Sequence, residues 1–210
     1  MFKTIVLDPN WPERGGGKCK RGADRHYEVK KPHEIIEIIY TSGVWLPDTS
    51  GCHVYMWVTN NWLEKGGLFV MNALGVRYVT NLSWPKPHFG LGQYFRGQHE
   101  ICLFGVIGRC GGSVRDESTL IHGDKRGRSK KPEDVFRKAE RVSKAPRLEM
   151  FATEYRAGWV GWGKPSVDSE VGIIKEDGSV FPFSMSKPPI SLSSCSSGID
   201  LYGFAARENL

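Results

Sequence analysis

Long apolar runs are missing from this sequence of 210 residues. No stretch approaches the roughly 18 consecutive apolar residues that a membrane-spanning helix needs. The N-terminal segment, residues 1–8, also lacks the longer apolar stretch and the cleavage site of a secretory signal peptide. These absences predict a cytoplasmic protein that does not associate with a membrane.

Cysteine is also scarce. The five cysteines are odd in number, and no two of them form a C-x-x-C pair. This pattern gives no support to a disulfide framework or to a zinc site, and we expect no bound metal. Cys52 and Cys102 lie in apolar, strand-like runs and are expected to act as small core residues.

What the sequence does contain is the composition of an ordinary globular chain, with 40% hydrophobic and 25% charged residues. A chain of this length can bury a substantial core without disulfides or metals. The net charge of +6 favours polyanionic partners, nucleic acid above all. Two loops, residues 14–31 and 125–131, hold much of the positive charge. Such runs are often only solvated surface.

Apolar periodicity predicts strands that alternate with helices, which indicates an α/β fold with parallel strand pairs. The strands are expected at residues 4–7, 52–59, 77–84, 101–106, 147–151 and 159–162, and the helices begin at Pro32, near Leu63 and at Pro132.

The pattern weakens after residue 165. We therefore predict a main domain over residues 1–165 and an extension over residues 166–210. Residues 176–179 are typical of a hairpin turn, and the Ser- and Pro-rich residues 184–198 resemble a linker or tail.

The sequence Asp8-Pro9-Asn10-Trp11 follows the first predicted strand. Ligands of open α/β sheets bind at the carboxyl ends of strands. Pro9 holds Asp8 extended, so the Asp8 carboxylate and the Pro9 carbonyl can both accept from one amino group. Trp11 offers a ring on which a base could stack, as a pocket for a flipped adenine requires. The alternative is an ordinary turn with a partly buried Trp, and the tetrapeptide alone does not decide.

Eight stretches, in order over residues 4–163, resemble the adenine-N6 methyltransferases related to the catalytic subunit of the eukaryotic messenger-RNA adenosine methyltransferase. The resemblance is greatest to the short bacterial and phage members of that family. The stretches are Asp8 to Trp11, His26-Tyr27, Tyr55 to Asn60, Tyr78 to Lys86, Gly90 to Glu100, Leu103 to Gly105, Ser129 to Glu133, and Leu148 to Ala152 with Arg156 to Trp159.

The resemblance implies a permuted, Rossmann-like methyltransferase fold, with a mostly parallel sheet flanked by helices. It implies transfer of a methyl group from S-adenosylmethionine to N6 of adenine in DNA. Asp8, Pro9, Asn10 and Trp11 match the family's catalytic Asp-Pro-Pro-Trp, with Asn10 as a departure. RNA methylation, or a non-catalytic partner subunit that binds nucleic acid, are the alternatives.

The family's cofactor half is matched in the C-terminal part of the main domain. Thr153 stands where short relatives commonly have Arg, and Lys164 stands where they have an Asn that serves the cofactor ribose. Lysine cannot accept a hydrogen bond as a carboxamide can. The residues that the resemblance assigns to the cofactor are Asn10, Ser129, Lys131, Phe151, Thr153, Tyr155, Arg156 and Lys164.

The substrate pocket is matched by Tyr27, Trp84, Lys86, Arg96 and Glu100. Trp84 and Tyr27 could instead be core or rim aromatics, and Glu100 could pair with Arg96. The expected partner is nucleic acid, DNA rather than RNA. The expected assembly is a monomer or homodimer, with a hetero-oligomer as an alternative, and the expected location is the cytoplasm of a bacterium or of a phage-infected host.

Overall fold

Eight strands and three α-helices are found in the part of the chain that the structure, a computed structural model, describes: residues 1–12, 29–90, 94–111, 114, 116–124, 130–166 and 169–182. The strands are β1 Thr4–Leu7, β2 Gly51–Val58, β3 Arg77–Pro85, β4 His99–Gly108, β5 Arg147–Ala152, β6 Val160–Gly163, β7 Gly172–Ile174 and β8 Val180–Pro182. The helices are α1 Pro32–Thr41, α2 Phe69–Ala73 and α3 Glu133–Val142.

All eight strands form one sheet, in the order β3-β4-β2-β1-β5-β6-β7-β8. Strand β1 is parallel to both β2 and β5, and β5 is parallel to β6. The remaining neighbours, β2–β4, β3–β4, β6–β7 and β7–β8, are antiparallel. The predicted α/β class is confirmed, but the sheet is mixed where a mostly parallel one was predicted. The length of the connections explains part of this difference. Parallel neighbours need a long crossover connection, whereas β3 and β4 are joined directly by residues 86–98 and can therefore pair antiparallel.

Strand β1 lies in the middle of the sheet and is buried on both faces. Ile5 and Leu7 belong to one hydrophobic cluster, whereas Val6 belongs to a second cluster on the opposite face. Successive side chains of a strand point to opposite faces, so an unbroken apolar run is what such a central strand needs. This burial fixes the position and direction of the residues that follow β1.

Helix α1 begins where the sequence predicts, because Pro32 suits the first turn of a helix. The carboxylate of Glu34 accepts a hydrogen bond from the Lys31 backbone N–H at 2.6 Å, which caps the first turn. Ile35 and Ile39, one turn apart, are fully buried against the sheet.

The second predicted helix is regular only at its end. The chain first forms a 3-10 turn, Asn60–Trp62, then a π-helical stretch, Leu63–Leu68, and only then α2. Packing in the stretch is tight: a Cβ on Gly66 would lie 2.7 Å from the Trp11 ring, and one on Gly67 would lie 2.8 Å from Leu103. The spacing of apolar residues predicts a helix here. It does not predict the 3-10 and π-helical turns, which occur together with these close contacts.

The predicted hairpin beyond residue 165 is confirmed as β7 and β8, and it extends the same sheet from β6. The division at residue 165 stays a prediction, and the predicted tail at residues 184–198 lies outside the described residues. Among the described residues, no helix is long and apolar enough to cross a membrane.

Candidate active site

The topology gathers the candidate residues at one edge of the sheet. Since β1, β2, β5 and β6 run in the same direction, their carboxyl ends share that edge. Strand β4 runs the opposite way, so its first residues, including Glu100, lie there too. Strand β3 ends beside them, with Trp84 opposite Glu100 in the register. Asp8 follows β1 directly, and its N–H donates to the Met150 carbonyl at 3.3 Å.

An ion pair between Asp8 and Lys131 occupies the centre of this edge. The Lys131 Nζ lies 2.8 Å from Asp8 Oδ1 and 2.9 Å from Asp8 Oδ2. It also lies 3.7 Å from Glu100 Oε2 and 5.3 Å from the centre of the Trp57 ring. Burial alone would lower the pKa of Lys131, but the two carboxylates outweigh it and raise that pKa. Lys131 is therefore a fixed positive charge beside the candidate catalytic carboxylate.

The ion pair continues outward through Glu100 to Lys86. Lys86 donates to the Glu100 carboxylate and lies over the Trp84 ring, 4.8 Å from its centre. Burial opposes ionisation of Glu100, but Lys131 and Lys86 outweigh it and lower the Glu100 pKa. The suggested pairing of Glu100 with Arg96 is wrong, because Glu100 is already shared between the two lysines and Arg96 is exposed.

Two predicted aromatic contacts with the substrate are corrected by the structure. Trp11 is only 4% exposed, and its indole N–H donates to the Trp57 carbonyl at 2.8 Å. Trp84 is 3% exposed and donates to the Gly123 carbonyl at 2.8 Å. Neither ring presents a free face to a base here. A buried tryptophan usually finds a hydrogen-bond partner for its indole N–H, as both residues do here. The sequence alone does not distinguish such a buried tryptophan from one that stacks on a base.

A pocket opens beside Asp8, between the ends of β1 and β5. It is lined by Val6, Asp8, Trp57, Lys130, Lys131, Phe136, Glu149, Phe151, Thr153, Glu154 and Arg156. Five predicted site residues thus meet at one cavity: Asp8, Lys131, Phe151, Thr153 and Arg156. Phe151 has a backbone φ of +64°, which is rare for a non-glycine residue.

Other predicted cofactor residues are not part of this lining. Asn10 is exposed, and its carbonyl accepts from the Lys30 N–H at 2.9 Å. Tyr155 is 39% exposed, and Lys164 is exposed beyond the end of β6. Ser129 and Tyr27 lie outside the described residues, as do most of the two predicted basic loops.

Glu149 is a site residue to which the sequence reasoning gave no role. It lies in β5 opposite Val6 of β1, and it faces the same pocket as Asp8. Burial raises its pKa to about 7, against the attraction of Arg156, and the negative charge of Asp8 adds to the rise. Its Oε2 is buried without a hydrogen-bond partner among the described residues, and the Arg156 Nε lies 3.5 Å away. The signal was present: Glu149 is an acid between the apolar strand residues Leu148 and Met150.

This pocket has the chemistry that S-adenosylmethionine requires. The cofactor carries a sulfonium, an ammonium and a carboxylate, and the pocket offers both carboxylates and cations. Glu149 Oε2 is the most direct sign, because it is buried and accepts no hydrogen bond from the described residues, with its ion-pair partner Arg156 Nε 3.5 Å away. Asp8 and Glu149 would face the positive groups, and Lys130, Lys131 or Arg156 the carboxylate. When bound, the cofactor supplies the electrophilic methyl group.

The sheet and the pocket at its carboxyl edge define the class, an S-adenosylmethionine-dependent methyltransferase fold. Within that class, the MT-A70 family matches residues 2–165, and the chain belongs to this family. The methyltransferases of the MT-A70 family use S-adenosylmethionine, and the cofactor predicted from the sequence resemblance is thereby confirmed.

Three plant proteins are among the similar relatives. The chain is 25% identical over 174 residues to a "Probable N(6)-adenosine-methyltransferase MT-A70-like" of Oryza sativa subsp. japonica, covering 78% of this chain and 23% of the rice protein. It is 25% identical over 173 residues to a "Putative N(6)-adenosine-methyltransferase MT-A70-like" of Medicago truncatula (77% and 26%). It is 24% identical over 173 residues to an "N(6)-adenosine-methyltransferase MT-A70-like" of Arabidopsis thaliana (77% and 23%). The chain thus spans about a quarter of the length of these curated relatives.

Proposed function

We propose that this protein transfers the methyl group of S-adenosylmethionine to the N6 amine of adenine in DNA. The observation that carries the proposal is the Asp8 carboxylate, held by Lys131 at the sheet edge, beside Pro9 and in the same pocket as Glu149. Membership in the MT-A70 family supports the methyl donor and the adenine acceptor.

Asp8 and the Pro9 carbonyl would orient the adenine amine. The lone pair of that nitrogen is delocalised into the ring, so the amine is a poor nucleophile. Two acceptors on its hydrogens favour the geometry in which the lone pair faces the methyl group, and they stabilise the positive charge that develops on nitrogen. Lys131 contacts both Asp8 oxygens, but a carboxylate has about four lone-pair sites, so Asp8 retains capacity for the amine.

Lys131 would keep Asp8 in place. Burial raises the pKa of Asp8 and the negative charge of Glu100 adds to the rise, whereas Lys131 opposes both effects and favours the carboxylate form. Lys131 is held between Asp8 and Glu100, and its side chain is only 14% exposed. A buried cation fixed by two carboxylates has little freedom to move, so Asp8 is preorganised before the substrate arrives. In this role Lys131 is a positioning residue for Asp8, in addition to its expected contact with the cofactor.

The segment between β3 and β4 supports a nucleic-acid substrate. Its two arms are joined by the hydrogen bonds Lys86 N to Gln98 O at 2.8 Å and Gly90 N to Gly97 O at 2.7 Å. Phe89, Tyr94 and Phe95 are 74%, 102% and 86% exposed. Exposed aromatic side chains next to cations are suited to stack on unpaired bases. Because this segment starts and ends at the edge that carries Asp8, such bases would flank the extruded adenine.

Stacking by these aromatics can be tested separately from chemistry. Replacing both Tyr94 and Phe95 by Ala should weaken oligonucleotide binding roughly tenfold or more, since one stacked base contributes about 1–3 kcal/mol. The affinity for S-adenosylmethionine should stay unchanged in calorimetric titration. Unchanged oligonucleotide affinity in the double variant would contradict the stacking role.

RNA is the second candidate substrate, because the plant relatives are named as adenosine methyltransferases. The resemblance to short bacterial and phage members favours DNA. Matched deoxy- and ribo-oligonucleotides of one sequence, with labelled S-adenosylmethionine, would decide between them, with N6-methyladenine measured by nucleoside mass spectrometry. Faster methylation of the deoxy strand is expected. Binding of the cofactor without label on either strand would contradict the proposed activity and favour a non-catalytic subunit.

A further inference from the structure

A second pocket lies at the opposite edge of the sheet, where β1, β2 and β5 begin. It is formed by Lys3, Ser50, Gly51, His53, Arg109, Cys110, Gly111, Val142 and Lys144. Three of these residues are cationic, and no Asp or Glu is among them. Since the proposed methylation site is at the carboxyl ends of the same strands, this pocket is separate from it.

The charge of the pocket is only partly neutralised. Lys3 lies 2.5 Å from Asp48 Oδ2 and donates to Ser50 Oγ at 3.2 Å. Arg109 and Lys144 have no side-chain partner within the described ranges. The pocket therefore keeps about two positive charges without a counter-ion from the described chain.

The His53 ring adds a neutral donor. Its Nδ1 is 2.7 Å from Ser143 Oγ, which is also 2.9 Å from the Tyr55 hydroxyl. Within the described part of the chain, Ser143 Oγ is the one acceptor for the Tyr55 proton. With the Tyr55 hydroxyl as that donor, Ser143 can donate its own proton to His53 Nδ1, and in this arrangement the remaining ring proton lies on Nε2.

This tautomer fits the surroundings of His53. The residue is 9% exposed, and burial lowers its pKa, which keeps the ring neutral. The Nε2 atom has no hydrogen-bond partner among the described residues. It is also not fully buried, so a ligand can reach it. Since His53 lines the pocket, Nε2–H is a donor available to a ligand there.

We propose that this pocket binds a phosphate group, with Arg109 and Lys144 as the charged contacts and His53 Nε2–H as the neutral donor. The nearby Asp48 carboxylate is bound to Lys3, which leaves the other cations to bind an oxyanion. These two cations match the charge of a phosphate monoester or of inorganic phosphate. A backbone phosphate of nucleic acid carries the same chemistry with a single charge.

Inorganic phosphate is the probe for the test, added to the full chain at constant ionic strength set with chloride. The His53 ring resonances are followed by ¹H–¹⁵N NMR. A saturable shift at His53 is expected, and the double variant Arg109→Ala/Lys144→Ala should weaken binding at least roughly tenfold, because charge-assisted hydrogen bonds are lost. Lys175→Ala removes one exposed cation from the β7–β8 hairpin and should leave the shift unchanged. Circular dichroism and thermal melting check that the variants fold.

Two further ligands identify the source of the phosphate. A soluble phosphate monoester should compete with inorganic phosphate, and failure of an oligonucleotide to compete would assign the pocket to a free phosphate or monoester. Competition by the oligonucleotide would assign it to a nucleic-acid backbone, and both results support a phosphate site. A shift that does not saturate, that chloride alone reproduces, or that survives in the double variant would overturn the proposal. The readout is independent of methyl transfer.

Discussion

Replacing Glu149 by Gln should stabilise the protein at alkaline pH, because the native carboxylate is ionised in a buried place. Burial raises the Glu149 pKa from 4.5 to about 7, and the side chain is 12% exposed. Each pKa unit corresponds to 1.36 kcal/mol, so ionised Glu149 costs up to about 3 kcal/mol of folding free energy.

The sign follows from proton binding. Between pH 4.5 and about 7 the carboxyl group is protonated in the folded state and ionised in the unfolded state. Stability contributed by this group is therefore present below pH 4.5, falls as the pH rises towards 7 and is lost above it. At pH 8 the Glu149→Gln variant should exceed the wild type by up to about 3 kcal/mol, and the difference should vanish near pH 4.

Urea unfolding of both proteins from pH 4 to pH 8 measures this difference. Glu176→Gln, in the exposed turn between β7 and β8, is the matched control and should show little pH-dependent difference. A constant difference between Glu149→Gln and the wild type across this range would contradict a raised pKa of Glu149 in the folded protein.

Three further outcomes are expected. Asp8→Asn should retain the fold and lower the methylation rate by roughly 100-fold or more, since it removes the charged acceptor; a rate near that of the wild type would contradict the catalytic role. Trp11→Phe should lower the free energy of unfolding by about 1–2 kcal/mol, because the hydrogen bond to the Trp57 carbonyl is lost, and kcat should not change. A loss of kcat with unchanged stability would instead indicate that Trp11 stacks on the substrate. Gly67→Ala should destabilise the folded protein by about 1–3 kcal/mol, because the added Cβ would lie 2.8 Å from Leu103. Gly111→Ala is the control, since a Cβ there has open space and should have little effect. Equal melting temperatures of the two variants would contradict this prediction.

Much of the fold could be predicted because local patterns determine it. The apolar run Thr4–Leu7 has the pattern of a central strand, and Pro32 marks the start of α1. The order of motifs placed Asp8, Lys131 and Phe151 at one site, and the structure brings all three to one pocket. These predictions depend on short stretches of sequence and on a fold that parallel strands constrain.

The remaining features depend on packing between distant residues. The burial of Trp11 follows from its contacts with Gly66 and Trp57. The pairing of Glu100 with Lys86 and Lys131, instead of Arg96, depends on how β3, β4 and the segment before α3 meet. The pKa of Glu149 depends on burial beside Asp8 and Arg156, which the sequence does not specify. Sequence spacing alone cannot supply such long-range distances.

The role of Asp8 is best tested by a structure of the protein with S-adenosylmethionine and a short adenine-containing oligonucleotide. We expect an extruded adenine whose N6 lies about 3 Å from an Asp8 carboxylate oxygen and from the Pro9 carbonyl. The sulfonium methyl should face the lone pair of N6, on the side of that nitrogen away from Asp8 and Pro9. Lys131 should still be bound to Asp8. An adenine bound elsewhere, or an Asp8 carboxylate occupied only by Lys131, would contradict this role of Asp8.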